Sequence, residues 1–263
     1  MAAVLVVLLL AVAFVGYRYA ETVYLPKKHL ADAEAAQLAL FAKVRPDEAD
    51  LETAAPSEAG LSDAMPSDAA GEPDTDILEN APLAAAEAVN DATVAWLTIP
   101  GTHIDYPIVQ GQDNDFYLHH GFDGAYNYEL GCPFLDYRCD PSMMGDNAIV
   151  YGHNIEGQRM FADIALYQEQ TFLEDCPIAF LMTPNGQHTV RFFAYMRVQS
   201  TAPVYQTVFV TASDKRAYID YIFDTASYAL NLEIQEDDPL LLLSTCTFED
   251  ADARGVLVGV IEP

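Results

Sequence analysis

Three residues of this 263-residue chain have the types and settings needed for nucleophilic chemistry. Cys246 closes the run Leu242-Leu243-Ser244-Thr245-Cys246, which reads as a strand. A thiol at a strand end sits on rigid backbone and can face a cleft. Eight residues on, Arg254 opens the next apolar run, 255–261. If the two runs pair as neighbours, loop 247–253 brings guanidinium and thiol to one rim. A cation there lowers the thiol pKa and can stabilise a developing oxyanion. His153 follows the strand-like segment 147–152, in Tyr151-Gly152-His153-Asn154. A His after a Gly at a strand end is free to swing over a cleft. Taken alone, Cys246 reads more readily as a buried, inert thiol, and one His among six is weak evidence. Taken together, the three supply a nucleophile, a proton shuttle and an oxyanion partner.

The other reactive residues form no comparable set. His119 and His120 are flanked by Asp115 and Asp123, but adjacent side chains point apart on a helix or strand, so no metal site is expected there. Glu233, Glu236, Asp237 and Asp238 precede the nucleophile strand, yet Ca²⁺ needs roughly 6–8 arranged oxygens, and acidity alone is not a site. His103 and His188 sit at turn or strand-edge positions and invite no role. Cys132 and Cys139 would lie about 23 Å apart in an extended strand at ~3.3 Å per residue, whereas a disulfide needs about 7 Å. A bond between them requires a sharp bend, for instance at Pro133. No cofactor is called for.

The elements that must position these residues are mostly short strands. Segments 94–99 and 104–109 read as strands around Pro100-Gly101, and 147–152 as a third. Segments 178–183 and 188–198 flank Pro184-Asn185-Gly186, a hairpin signal. Segments 239–245 and 255–261 close the chain as buried strands. Helical spacing appears over 160–167. A longer amphipathic helix capped by Ser213 follows, with Tyr218, Tyr221, Ile222, Thr225 and Ala229 on one face. Many short strands with two interposed helices predict a mainly β fold, a closed barrel of about 170 residues.

The N-terminal part is a different kind of polypeptide. Residues 1–17 carry no charge and, with Tyr17, Tyr19 and Tyr24 behind them, read as a membrane anchor within 1–25, the competing reading being a cleaved signal peptide. Arg18, Lys27 and Lys28 follow the apolar run rather than precede it, so a short basic leader ahead of residue 1 is expected. Residues 26–76 read as a spacer: an Ala- and Leu-rich helix over 31–45, then a solvated stretch mixing four prolines with Ala, Ser, Asp and Glu. Residues 77–92 suit a short helix leading into the barrel, giving a catalytic domain of 77–263. The net charge of −28 argues against nucleic acid and against an anionic membrane surface as the main ligand. Residues 93–263 alone hold 24 acids against seven bases.

At the reactive residues the sequence resembles a known family. Leu243-Ser244-Thr245-Cys246 followed by Arg254 resembles the L-x-T-C…R signature of sortases, and Tyr151-Gly152-His153 resembles their catalytic His segment. Trp96-Leu97-Thr98-Ile99, Ile104 to Gly111, Asp113 to Leu118 and Phe134-Leu135-Asp136-Tyr137-Arg138 all resemble class B sortases, in order. So do Met160-Phe161-Ala162 and the long helix before the last strands. The resemblance implies an eight-stranded barrel and a membrane-anchored cysteine transpeptidase facing a Gram-positive cell wall. Such enzymes cut a C-terminal sorting signal after Thr, hold the new C-terminus as a thioester, and pass it to an amine of a peptidoglycan precursor or a pilin. Class B members are linked to N-P-x-T-[N/G]-like signals. Carried over, Cys246 is the nucleophile, His153 the general acid/base and Arg254 the oxyanion or substrate-orienting residue. Thr245 and Ser244 line the cleft, and Tyr151 and Asn114 lie near the substrate groove. Two other readings stand beside this one. A plain cysteine protease would use water as acceptor, and a tethered adhesin or metal binder would keep the barrel without the chemistry.

Overall fold

The structure is a computed structural model that describes residues 12–46, 83–155, 159–246 and 252–262. It divides into a helical unit ending at Lys43 and a second unit from Val44 onward.

In the helical unit, helical backbone over 12–19 runs through a π-helical turn, Ala20–Tyr24, into α1, Leu25–Val44. The expected Ala/Leu-rich helix is therefore present and starts six residues earlier than the composition suggests. Lys43 in its last turn suits the negative end of the helix dipole. Among the described residues no helix is long and apolar enough to cross a membrane. Of the anchor expected within 1–25, residues 1–11 lie outside the described residues, as does the Pro-rich part of the spacer from 47 to 76.

Among its described residues the second unit has eleven strands: β1 Thr93–Thr98, β2 Asp105–Gln110, β3 Phe134–Leu135, β4 Asn147–Tyr151, β5 Asn154–Ile155, β6 Arg159–Met160, β7 Ile178–Thr183, β8 Gly186–Gln199, β9 Tyr228–Ala229, β10 Leu240–Cys246 and β11 Ala253–Glu262. Eight of them close a barrel in the order β1-β2-β3-β4-β10-β11-β8-β7, and β7 returns to β1. This is the eight-stranded barrel expected. β9 adds to the far half of β8, and β5 pairs with β6 as a separate ribbon. Closure removes the exposed sheet edges that an open antiparallel sheet must protect.

The sequence explains most of these elements. Gly101 turns the chain between β1 and β2 at φ +83°, a conformation a β-carbon would strain, and Ile99 N–H bonds Ile104 O at 2.8 Å across the turn. Asp105 then fastens the hairpin: one carboxylate oxygen accepts from Trp96 Nε1 at 2.7 Å and Thr98 Oγ1 at 2.9 Å, and the other meets Arg45 Nε at 2.7 Å. Pro184-Asn185 joins β7 to β8 in a tight turn, with Thr183 opposite Gly186. Leu240 to Leu243 are wholly buried, as a strand flanked by two neighbours and covered on both faces requires. The cover includes the 3₁₀ segment Ala162–Gln168, which packs on β8, β10 and β11. Its Asp163 is buried and ties down His103, accepting from the backbone N–H at 2.7 Å and meeting Nδ1 at 2.8 Å.

Among the described residues of this unit the α-helices are the short α2 Ala84–Glu87 and α3 Gln170–Asp175 and the longer α4 Ala212–Thr225. The long helix is capped by Thr211, not Ser213. Thr211 and Asp214 form a capping box, each side chain bonding the other's backbone N–H. Its buried face is Lys215, Tyr218, Ile219 and Ile222, so Tyr221 leaves the expected stripe and Ala229 belongs to β9. Lys215 is buried because its ammonium donates to two main-chain carbonyls, Asp146 O and Asp238 O, with the Phe209 ring beneath it at 5.4 Å.

Candidate active site

The reactive residues are brought together by two ladders. β10 pairs antiparallel with β11, and their last rung sets Cys246 opposite Arg254. The conditional juxtaposition drawn from the sequence is thus present in the backbone register. On its other side β10 runs parallel to β4, with Ser244 opposite Tyr151. Cys246 lies two residues beyond that rung on one strand, and His153 two residues beyond it on the other. Gly152 N–H bonds Ser244 O at 3.1 Å and carries the pairing one step further. Three strand ends therefore finish at one rim.

That rim holds a cleft of about 280 Å³. Its lining includes Asn114, Tyr151, His153, Ser244, Thr245 and Arg254, the residues singled out in the sequence apart from Cys246, together with Leu118, Phe134, Gly152, Ser200 and Tyr205.

His153 is held from several sides. Its Nε2 lies 2.8 Å from Leu118 O, and its own carbonyl accepts from Phe161 N–H at 2.9 Å. A carbonyl can only accept, so Nε2 carries a proton in this bond and Nδ1 is left as the nitrogen that takes up or gives the second one. Two glycines make the fit. A β-carbon on Gly152 would lie 2.5 Å from Phe161 Cγ. One on Gly131, at φ +56°, would lie 2.6 Å from Tyr117 O, 2.9 Å from Leu118 O and 3.0 Å from the His153 ring. Gly131 thus lets the 117–118 backbone approach close enough to orient the imidazole.

The wall beside His153 is aromatic and hydrogen-bonded. Tyr151 stacks on Tyr205 at 6.1 Å and tilts against Phe134 at 5.4 Å. Tyr205 OH meets Ser244 Oγ at 2.9 Å. Tyr151 OH and Asn114 Nδ2 both donate to buried Asp136, at 3.0 and 2.9 Å. Thr245 is 4% exposed, and its hydroxyl has no hydrogen-bond partner among the described residues. A buried hydroxyl left unpaired is costly, and one on a residue that lines the cleft is available to a ligand. Opposite, Ser200 Oγ donates to Asp252 Oδ1 at 2.6 Å and Ser200 N–H to Asp252 O at 3.1 Å, tying the end of β8 to the approach of Arg254.

The remaining candidates are placed elsewhere. His119 stacks on Tyr128 and His120 on Phe116. Among the described residues no group of three or more His, Cys, Asp or Glu is arranged to hold a metal ion. Cys132, Cys139 and Cys176 are free thiols. Burial pushes the Cys132 thiol far above its usual range and the Cys139 thiol up to about 11, so both are poor nucleophiles at neutral pH. Cys139 also bonds the β4 backbone, donating to Asn147 O at 3.2 Å.

Sequence reasoning missed Leu118, Tyr205, Ser200 and the role of Asp136. Leu118 acts through its carbonyl, which no side-chain pattern reveals. Tyr205 and Ser200 lie in the β8–α4 connection, where nothing in 200–206 marks a cleft. Asp136 did carry a signal, an Arg two residues on that can reach its carboxylate.

No family model matches the chain. Over 172 residues it is 33% identical to sortase B of Listeria monocytogenes, covering 65% of this chain and 70% of that protein. Over 177 residues it is 27% identical to sortase B of Staphylococcus aureus, covering 66% and 72%. The X-ray structure of Clostridium perfringens sortase B matches with a TM-score of 0.64 at 27% identity, over 68% of this chain and 98% of that one. A Staphylococcus aureus sortase B–substrate complex matches with a TM-score of 0.63 at 25% identity, over 67% and 82%. With the barrel closed as described and a third of the aligned positions identical to a curated relative, this chain belongs to the class B sortases, a family of cysteine transpeptidases.

Proposed function

We propose that the chain is a membrane-anchored sortase whose catalytic residues are Cys246, His153 and Arg254, and that it joins surface proteins to an amine of the cell envelope. The observation that carries this reading is the Cys246–Arg254 rung at the mouth of a cleft lined by His153 and Thr245. In the proposed sequence the Cys246 thiolate attacks the carbonyl carbon of the sorting-signal Thr. The C–S bond forms as the carbonyl becomes an oxyanion, which Arg254 meets with its N–H groups. Collapse breaks the scissile C–N bond, and His153 gives its Nδ1 proton to the leaving amine. The acceptor amine then attacks the thioester, His153 takes the proton released, and thiolate leaves. Thr245, Ser244, Tyr151 and Asn114 line the groove that holds the signal. Residues 1–25 serve as the anchor, 26–76 as the spacer and 77–263 as the catalytic domain, facing the wall from the outer side of the membrane. The acceptor is a peptidoglycan-precursor or pilin amine.

The test is product partition. Incubation with an internally quenched N-P-x-T-N-type peptide should give slow hydrolysis. Adding a glycine-rich amine at millimolar concentration should divert most of the product to the new amide. Hydrolysis at an unchanged rate, with no amide formed under any amine tried, would leave a cysteine protease.

A further inference from the structure

Asp136 is wholly buried, directly after β3, and its carboxylate receives five donors. Oδ1 accepts from Arg138 N–H at 3.0 Å and Arg138 Nε at 2.9 Å. Oδ2 accepts from Arg138 Nη2 at 2.7 Å, Asn114 Nδ2 at 2.9 Å and Tyr151 OH at 3.0 Å. Burial pushes this carboxyl up, but the bonds from Arg138 and Asn114 outweigh it and hold it below the usual carboxylate range, so it is ionised at neutral pH. The Arg138 fork alone would satisfy a structural ion pair. The two further donors come from side chains that line the cleft, which Asp136 itself does not.

An ionised carboxylate only accepts. The single hydroxyl hydrogen of Tyr151 is therefore committed to Asp136, which leaves the oxygen of this cleft-lining residue with acceptor capacity only. Asn114 is locked as well: Nδ2 donates to Asp136, and Oδ1 accepts from Tyr137 N–H at 3.0 Å. Flipping the amide would set carbonyl against carboxylate and N–H against N–H. One Asn114 N–H remains for a ligand.

We propose that Asp136 is a positioning residue whose negative charge fixes the donor–acceptor polarity of the substrate wall, an acceptor at Tyr151 beside a donor at Asn114. This wall suits a peptide or carboxamide group that donates to the tyrosine and accepts from the asparagine. The inference rests on the cleft being the sorting-signal groove. A neutral residue at 136 would let Tyr151 turn its hydrogen outward and Asn114 flip, and the wall would lose its single pattern.

The test uses the full chain and the same N-P-x-T-N-type peptide. Asp136→Asn should raise KM about tenfold and leave kcat within about threefold. Alkylation of Cys246 by iodoacetamide should keep its rate within about twofold, because the reacting groups are untouched. In an Asn114→Ala/Tyr151→Phe background, adding Asp136→Asn should change KM less than about twofold, since Asp136 acts only through those two side chains. Arg138→Lys keeps the counter-charge but loosens the fork, and should raise KM about threefold with kcat preserved. An unchanged KM in Asp136→Asn, an equal fall in kcat and alkylation rate, or a full further KM increase in the double background would overturn the proposal. If Asp136→Asn does not fold, an unchanged KM in Arg138→Lys overturns it. An active wild type with these results removes the role of Asp136 alone. A wild type that cleaves no such peptide removes the reading of the groove.

Discussion

Cys246→Ala is expected to reduce cleavage of a sorting-signal peptide to background, a loss of roughly 10⁴-fold or more, as removal of a covalent nucleophile does in other hydrolases. The expectation rests on position. Cys246 is the last residue of β10 and the cross-strand partner of Arg254. The other thiols serve as internal controls. Cys132 is buried and its pKa is driven far up by burial, so it has almost no thiolate at neutral pH. Cys176 lies at the end of α3, close to the Pro100-Gly101 turn. Cys132→Ala and Cys176→Ala should therefore keep activity, though Cys132→Ala should lower the melting temperature by leaving a small void. Cleavage retained in Cys246→Ala, measured by release of the quenched fluorophore, would sink the assignment.

Arg254→Ala should lower kcat by ~10²–10³, the usual consequence of losing one oxyanion donor, about 3–4 kcal/mol. Arg254 lines the cleft from the base of β11, with Nη1 donating to Ala253 O at 3.1 Å, and the adjoining Ser200–Asp252 bonds anchor the backbone that leads into it. Lysine retains the charge but loses the planar fork and some reach, so Arg254→Lys should recover only part of the rate. KM should change less than kcat, because the interaction strengthens as charge develops on the carbonyl oxygen. The competing role is a clamp on the bound signal. That role gives the opposite split, KM raised and kcat nearly intact. Steady-state kinetics of both variants beside wild type distinguish the two, and a KM-only effect would leave Cys246 and His153 as a dyad.

The parts of the fold legible in the sequence are those with long periodic signals. β1, β2, β4, β7, β8, β10 and β11 all fall within a few residues of the runs that predict them, because each is at least five residues long and carries several buried apolar side chains. The two-residue strands β3, β5, β6 and β9 carry no period and exist only through their partners. The start of α4 was readable: Thr211-Ala212-Ser213-Asp214 is a capping-box pattern, and Ser213 competes with Thr211 only when the Asp three residues after Thr211 is overlooked. Burial of Lys215 was not readable. It depends on carbonyls at 146 and 238, which only the tertiary fold brings to one place. At the site, the Cys246–Arg254 pairing followed from strand adjacency, whereas the parallel β4–β10 ladder that brings the end of β4 and His153 to the same rim is a long-range pairing no local pattern marks. The carbonyl of Leu118 was hidden because a main-chain group leaves no side-chain pattern, and the carboxylate of Asp136 because it acts on the cleft residues from behind.

If Cys246 is the nucleophile, the sorting-signal threonine is carried on its sulfur before transfer. Mass spectrometry of the enzyme after brief mixing with the peptide at mildly acidic pH, where thioesters persist, reads this intermediate. The expected adduct has the mass of the peptide up to and including Thr and maps to the tryptic peptide containing Cys246. The adduct should be discharged by a glycine-rich amine in step with appearance of the amide product. Turnover with no adduct at Cys246, or an adduct that the amine does not discharge, would contradict it.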